Sequence, residues 1–416
     1  RLIENNEDVL IIESGGAYDP ETIAHHSLAQ TNLQFYKQGM NFCYGNVPML
    51  FAEGSTYGGG SEVNSGLYFK LTEPYKSIFL EKANITVDEW NYVEKKVEKM
   101  LSVQHAPPGS FDNLESALID GSNNFDLICE EIPRWREYNP AEEHKSMQAS
   151  YLKLAEKDGL SVITQTEVMK IKPEREFINI LAKKDNKVLN FRSKKIVLSA
   201  GTIGTPKILK NSGLISNSIN FNFHPMTRCV VDYGKKINHG DLFPPYQAWT
   251  KDYKFKFGYS VSTYPFVKAT LASLGKYDEI PEPSRLVSYF SSTVLDNSYG
   301  RLFSFRGKLV PFTYISRKDK RKIKEGFEIL KKLLRSTSVK KVWPHKGLSP
   351  MTTVHIFGSL PIGKNKNLGA NGELLKDSRI KISDASILPT APWGNPQAVM
   401  MVLNEILIDR WIKQIK

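Results

Sequence analysis

The chain has 416 residues, 41% hydrophobic and 24% charged, with a formal charge of +12. That is ordinary globular composition, enough for a large core and two domains. The positive excess raises nucleic acid as a partner, but the lysines are scattered among acids, as in Glu94-Lys95-Lys96-Val97-Glu98-Lys99, so none is expected.

Arg1 to Asn6 reads as a helix end. Asp8 to Glu13 is then a buried strand finishing on an acid and running into Ser14-Gly15-Gly16. Such an acid holds the ribose hydroxyls in a dinucleotide-binding βαβ unit. The plain alternative is a buried strand that ends on an exposed acid. In the cofactor reading, the first strand and its G-x-G-x-x-G turn precede the acid by about 20 residues. They would lie before Arg1, so the chain is expected to be incomplete at its N-terminus.

The densest glycine cluster follows, Gly54-Ser55-Thr56-Tyr57-Gly58-Gly59-Gly60-Ser61-Glu62-Val63-Asn64. Glycines there permit positive φ and leave no Cβ between backbone and ligand. Ser61 and Asn64 can cap the turn after them. Residues 75–150 carry helical patterns such as Val87 to Leu101, with a break at Pro107-Pro108. Gly159 to Ile171 reads as two short strands and 178–191 as a hairpin turning at Asp185-Asn186. Lys195 to Ser199 is a buried strand running into Ala200-Gly201, with a helix opening near Pro206 and ending at a C′ glycine, Gly213.

From His224 the texture changes. Strand-like runs are expected at Arg228 to Tyr233, Gly258 to Thr263, Leu286 to Val294 and Leu302 to Phe305. Recurrent aromatics there, among them Phe243, Trp249, Tyr253, Phe255, Phe257, Tyr264 and Phe266, point to an antiparallel sheet with an aromatic face. Most should pack a core, and a few could line a substrate cavity. The dense basic run Arg317 to Lys324 leads into Phe327, Ile329, Leu330 and Leu333, which marks the exposed start of an amphipathic helix. Near the end stand Val354-His355-Ile356-Phe357-Gly358-Ser359, a strand Ile380 to Ile382 leading into Ser383-Asp384-Ala385-Ser386, and Gly394-Asn395-Pro396-Gln397 before an apolar helix. Both His355 and Asn395 flank Gly/Pro turns, where reacting groups are often displayed. Cys43, Cys129 and Cys229 form no CxxC pair, so neither a metal knuckle nor a disulfide framework is expected; a reducing, cytoplasmic compartment is the inference. No apolar run approaches the length of about 20 residues that spans a bilayer.

The last stretch, the triple-glycine loop and the Ser199-Ala200-Gly201 turn together resemble the signatures of the glucose–methanol–choline (GMC) family of FAD-dependent oxidoreductases. The resemblance implies an α/β fold: a Rossmann-like FAD-binding domain with an inserted α+β substrate domain built on an antiparallel sheet. Mapped onto this chain, the FAD domain would take residues 1–74, 151–220 and 346–416, a helical connection 75–150, and the substrate domain 221–345. It implies His355 as the base that accepts a hydroxyl proton and Asn395 as the amide that orients the hydroxyl. Contacts to FAD would come from Glu13, Gly59, Gly60, Ser61, Asn64, Val168, Ala200, Gly201, Asp384, Ala385, Pro396 and Gln397. Val168 reads equally well as a core valine. His224 is expected to be structural or near the flavin rather than catalytic, and His345 is given no role. The implied reaction is oxidation of a small-molecule alcohol (sugar, long-chain or choline-like) to a carbonyl, by a dehydrogenase more than an oxidase, with the electron acceptor open. The alternative is a flavin-free, inactive fragment of such an enzyme. The chain departs from the family at Ile215, where a glycine is usual, and mildly in Gly358-Ser359-Leu360-Pro361-Ile362-Gly363, where the family usually has Gly-Thr-x-x-Met-Gly.

Overall fold

The computed structural model describes residues 1–415 except 20–21, 25–26, 108–112, 139–142, 216–217, 238–245, 261–266, 268–269, 273–274, 276–282 and 306–307. Phe243, Tyr264 and Phe266 therefore lie outside the described residues.

The expected mixture of parallel and antiparallel sheets is present. The strand Leu10–Ile12 runs parallel to Ser161–Ile163, which sets Glu13 at the carboxyl end of a parallel pair. Ile196–Leu198 runs parallel to Asp377–Ile382, so the Ala200-Gly201 and Asp384-Ala385 turns leave the same edge side by side. The hairpin Ile178–Lys184 and Lys187–Ser193 turns at Asp185 and Asn186, both with positive φ, as a two-residue type I′ turn demands.

The largest sheet is 13-stranded and mixed among the described residues. Its heart is antiparallel: Met226–Asp232 beside Leu286–Ser292 beside Lys256–Ser260 beside Tyr246–Trp249. It also draws in Asn41–Gly45, Met49–Phe51, Ile128–Glu131 and Met351–Thr353, so segments far apart in sequence complete it. Alternation decides its two faces. Cys229, Val231, Phe257, Tyr289 and Val287 point one way and are covered by Phe327, Leu330, Leu333 and Leu334 of the helix Arg317–Arg335. Each such fully buried apolar side chain contributes about 1.5–3 kcal/mol. That helix starts at Arg317, where Ser316 accepts from Asp319 N; the basic run forms its first turns. Phe255 and Phe257 thus pack a core, as most of the aromatics were expected to.

Under the smaller sheets, the helix Pro396–Ile415 buries Ala398, Val399, Val402, Leu403, Ile406 and Leu407 in a core shared with Trp90, Val93 and Val97 of the helix Val87–Met100. Lys96 ties the two helices through Glu405 at 2.6 Å. No helix among the described residues is long and apolar enough to cross a membrane.

Candidate active site

On the cofactor side, Glu13 Oε1 accepts from Gly15 N at 2.7 Å and from Ser14 Oγ at 3.2 Å. Burial raises its pKa against those hydrogen bonds. In the glycine loop Gly58 and Gly59 have positive φ, and a Cβ built on Gly59 or Gly60 would meet nothing within 4 Å. The backbone there is bare on one side. Ser61 is only 1% exposed; its hydroxyl donates to Gly58 O and accepts from Met147 N, so it pins the loop and offers no free donor. Asn64 Oδ1 accepts from Gly66 N, closing an Asx turn.

Asp384 organises the opposite wall. Its Oδ2 accepts from Gly201 N at 2.9 Å and Thr205 Oγ1 at 2.5 Å, its Oδ1 from Ser386 N at 2.8 Å and Ser386 Oγ at 2.5 Å. This carboxylate, from a turn 183 positions away, caps the helix Gly201–Asn211. The helix therefore opens before Pro206, at Gly201, whose φ is +80° and whose missing Cβ would again point into open space. Ala200 is exposed at the same turn. Ala385 O accepts from Gly358 N, which fastens the His355 loop to this wall. Glu53, just before the glycine loop, is a further acid here; desolvation first and Asp384 second push its pKa up to about 7. Val168 sits at a bulge of the strand Glu167–Pro173 and packs half-buried against the main core. Pro396 and Gln397 begin the last helix.

The catalytic candidates follow from strand register. Ile356–Phe357 pairs antiparallel with Phe223 and Asn222, and the ladder runs on through His224 N to His355 O. That register sets the two imidazoles against each other, Nδ1 to Nδ1 at 3.3 Å. His224 also packs on Phe357. Gly358 has φ +67°, and a Cβ there would lie 3.0–3.1 Å from Asn222 Nδ2 and Leu388 O, so the loop needs glycine for a close approach as well as for its conformation. Burial lowers both histidines, with further lowering from the Lys256 ammonium: His224 to about 3, His355 well below its ordinary value, with His224 itself the second cause for His355.

Lys256 is the residue that links the parts. It is 4% exposed, and its Nζ donates to Asn395 Oδ1 at 3.1 Å. The rings of Phe69 and Trp393 lie 4.8 and 5.8 Å from the ammonium. Gly394 lets this corner close, because a Cβ there would fall 2.0 Å from the Phe69 ring. Its charge bears on His224 and His355 alike. So His355, His224, Lys256 and Asn395 form one constellation. His224, expected to be structural or near the flavin, touches the candidate base, because the register that pairs Phe223 with Ile356 brings it there. Lys256 and Arg228 carried no signal beyond their places in alternating strands. A cavity of about 240 Å³ lined by Ile219, Leu360 and Asn367 holds none of these groups.

The family profile described as GMC oxidoreductase matches residues 12–226. The chain belongs to the GMC oxidoreductase family. Across its length it is similar to an uncharacterized GMC-type oxidoreductase, y4nJ, of Sinorhizobium fredii, 21% identical over 95% of this chain and 88% of that one. Its fold is that of pyridoxine 4-oxidase from Mesorbium loti (TM-score 0.76) and of formate oxidase from Aspergillus oryzae RIB40 (TM-score 0.77). Both are 14% identical, and each match covers 99% of this chain and 95% of the other.

As a GMC oxidoreductase the chain is a flavoprotein with FAD as cofactor. The residues present fit that group. Gly59, Gly60 and Gly201 leave backbone bare where a side chain would meet nothing. Glu13 stands at a strand end beside the glycine loop, with Oε1 engaged by Gly15 N and Ser14 Oγ.

Proposed function

We propose that this GMC oxidoreductase oxidises an alcohol to a carbonyl, with His355 taking the hydroxyl proton at Nε2 and Asn395 orienting the hydroxyl oxygen. FAD, when bound, supplies the acceptor for the hydride that leaves the same carbon. The carrying observation is the Nδ1–Nδ1 contact between His224 and His355. A neutral imidazole has one N–H and one lone pair. When His355 Nδ1–H donates to His224 Nδ1, the lone pair of His355 falls on Nε2, which has no protein partner among the described residues. His224 then acts as a positioning residue that selects the tautomer. Burial keeps His355 unprotonated throughout the neutral range, so the base is ready before substrate arrives.

The test replaces His355 with Ala and measures anaerobic flavin reduction by primary alcohols. Loss of a positioned base should slow reduction by roughly 10²–10⁴-fold while bound flavin is retained. Reduction at the wild-type rate would remove His355 from the chemistry.

A further inference from the structure

Strand alternation gives the sheet beside the site an unusual content. Lys256 aligns with Ser292, and Ser292 with Met226. Arg228 lies two residues along from Met226, so it shares Lys256's face of the sheet, opposite the one covered by the helix Arg317–Arg335. Adjacent strands are about 4.8 Å apart, so these two long side chains, two strands apart, can converge on one point.

Neither cation has a counter-ion among the described residues. Lys256 Nζ has a neutral amide oxygen and two ring faces. Arg228 Nε donates to Thr352 Oγ1 at 3.3 Å, Nη2 lies 4.0 Å from Met226 Sδ, and Nη1 is buried with no partner. Desolvation lowers Lys256 to about 7 and Arg228 to about 10, with no carboxylate opposing it in either case. Elsewhere in the chain such cations do have acids: the buried Lys331 has Glu328 at 2.8 Å and the half-buried Arg285 has Asp232 at 2.8 Å. An unpaired buried charge is strongly unfavourable; Lys256 is buried and the half-buried Arg228 has a buried, partnerless Nη1, so the two cations on one face, both acting on His355, point to a charge supplied from outside.

We propose that Lys256 and Arg228 form an anion-binding pocket beside the catalytic pair, and that the substrate is a hydroxy acid, an alcohol carrying its own carboxylate. The inference rests on the alcohol-oxidation reading above and narrows it. Arg228 Nη1 and Lys256 Nζ supply donors for two carboxylate oxygens, and Asn395, hydrogen-bonded to Lys256, faces the hydroxyl of the same small molecule. The same two charges repel a choline-like cation.

The holoenzyme is assayed with an artificial electron acceptor against matched pairs: glycolate and glycolamide, lactate and lactamide, 3-hydroxypropionate and its amide. At least one acid should exceed its amide in kcat/KM by roughly 100-fold, since the amide leaves both cations unpaired. Lys256→Met and Arg228→Met should each lower that ratio at least about tenfold, mostly through KM. Independently of any variant, propionate should inhibit the wild-type enzyme competitively and propionamide should not. Equal kcat/KM within every pair, an unchanged ratio in both variants, or oxidation of 2-hydroxyethyl phosphate in preference to the acids would overturn the proposal. If neutral alcohols are oxidised and the acids are excluded, this inference alone fails. If neither acids nor neutral alcohols reduce the flavin, the oxidation reading fails with it.

Discussion

At the turns beside the glycine loops Asp384 already holds four hydrogen bonds, from Gly201, Thr205 and Ser386, and the buried Lys381 lies near it and Glu373. On the neighbouring sheet the buried Asp232 is paired with Arg285, but Lys256 and Arg228 have no acid among the described residues. A binding wall that serves the whole family can be finished by the chain itself, with donors and acceptors paired before the ligand comes. A wall that recognises one substrate keeps groups unpaired until that substrate completes them. The first arrangement rigidifies the fold; the second lowers its stability in exchange for selectivity.

The contrast can be broken most sharply at Lys256. Its folded-state pKa is about 7 against an ordinary 10.5. Well below pH 7 the folded protein carries the buried charge and the full penalty applies. Between pH 7 and 10.5 the unfolded chain holds a proton that the folded one lacks, so wild-type stability rises with pH. Above 10.5 the penalty is gone. Lys256→Met should therefore stabilise the flavin-free protein by on the order of 3 kcal/mol at pH 6, and the gain should fade by pH 10.5. Urea unfolding at the two pH values measures this. A pH-independent gain, or a loss, would show that Lys256 is compensated after all.

A smaller effect sharpens the cofactor side. Gly201 and Gly159 both have positive φ and nothing within 4 Å of a built Cβ. Alanine at either should cost a similar backbone strain of about 1 kcal/mol. Only Gly201→Ala should also weaken FAD binding, about tenfold, equivalent to about 1.4 kcal/mol. Flavin absorbance of the two purified variants at limiting FAD decides it; equal retention would move the cofactor away from the Ala200-Gly201 turn.

These two walls were not equally legible. A backbone bend with positive φ favours glycine, so the turns at Gly59 and Gly201 were visible in the sequence as a local chemical necessity. Gly358 was visible too, although half its reason, the closeness of Asn222 and Leu388, is tertiary. The start of the helix at Gly201 was misplaced towards Pro206, because its cap comes from Asp384 across the fold. Lys256 was harder still. In Lys254-Phe255-Lys256-Phe257, period two shows that lysines and aromatics occupy opposite faces, but not what covers each face. Lys254 reaches the surface and pairs with Glu325 at 2.8 Å, whereas Lys256 is enclosed by Phe69, Trp393 and Asn395 from distant segments. His224 was noticed, but its contact with His355 depends on the pairing of Phe223 with Ile356, a register no local pattern records.

The account stands most directly on the reductive half-reaction. Oxidised holoenzyme mixed anaerobically with an alcohol deuterated at the hydroxyl-bearing carbon should lose its flavin absorbance more slowly than with the protiated alcohol, because that C–H bond breaks as the flavin is reduced. Flavin that stays oxidised with every alcohol offered, acid or neutral, would contradict the account.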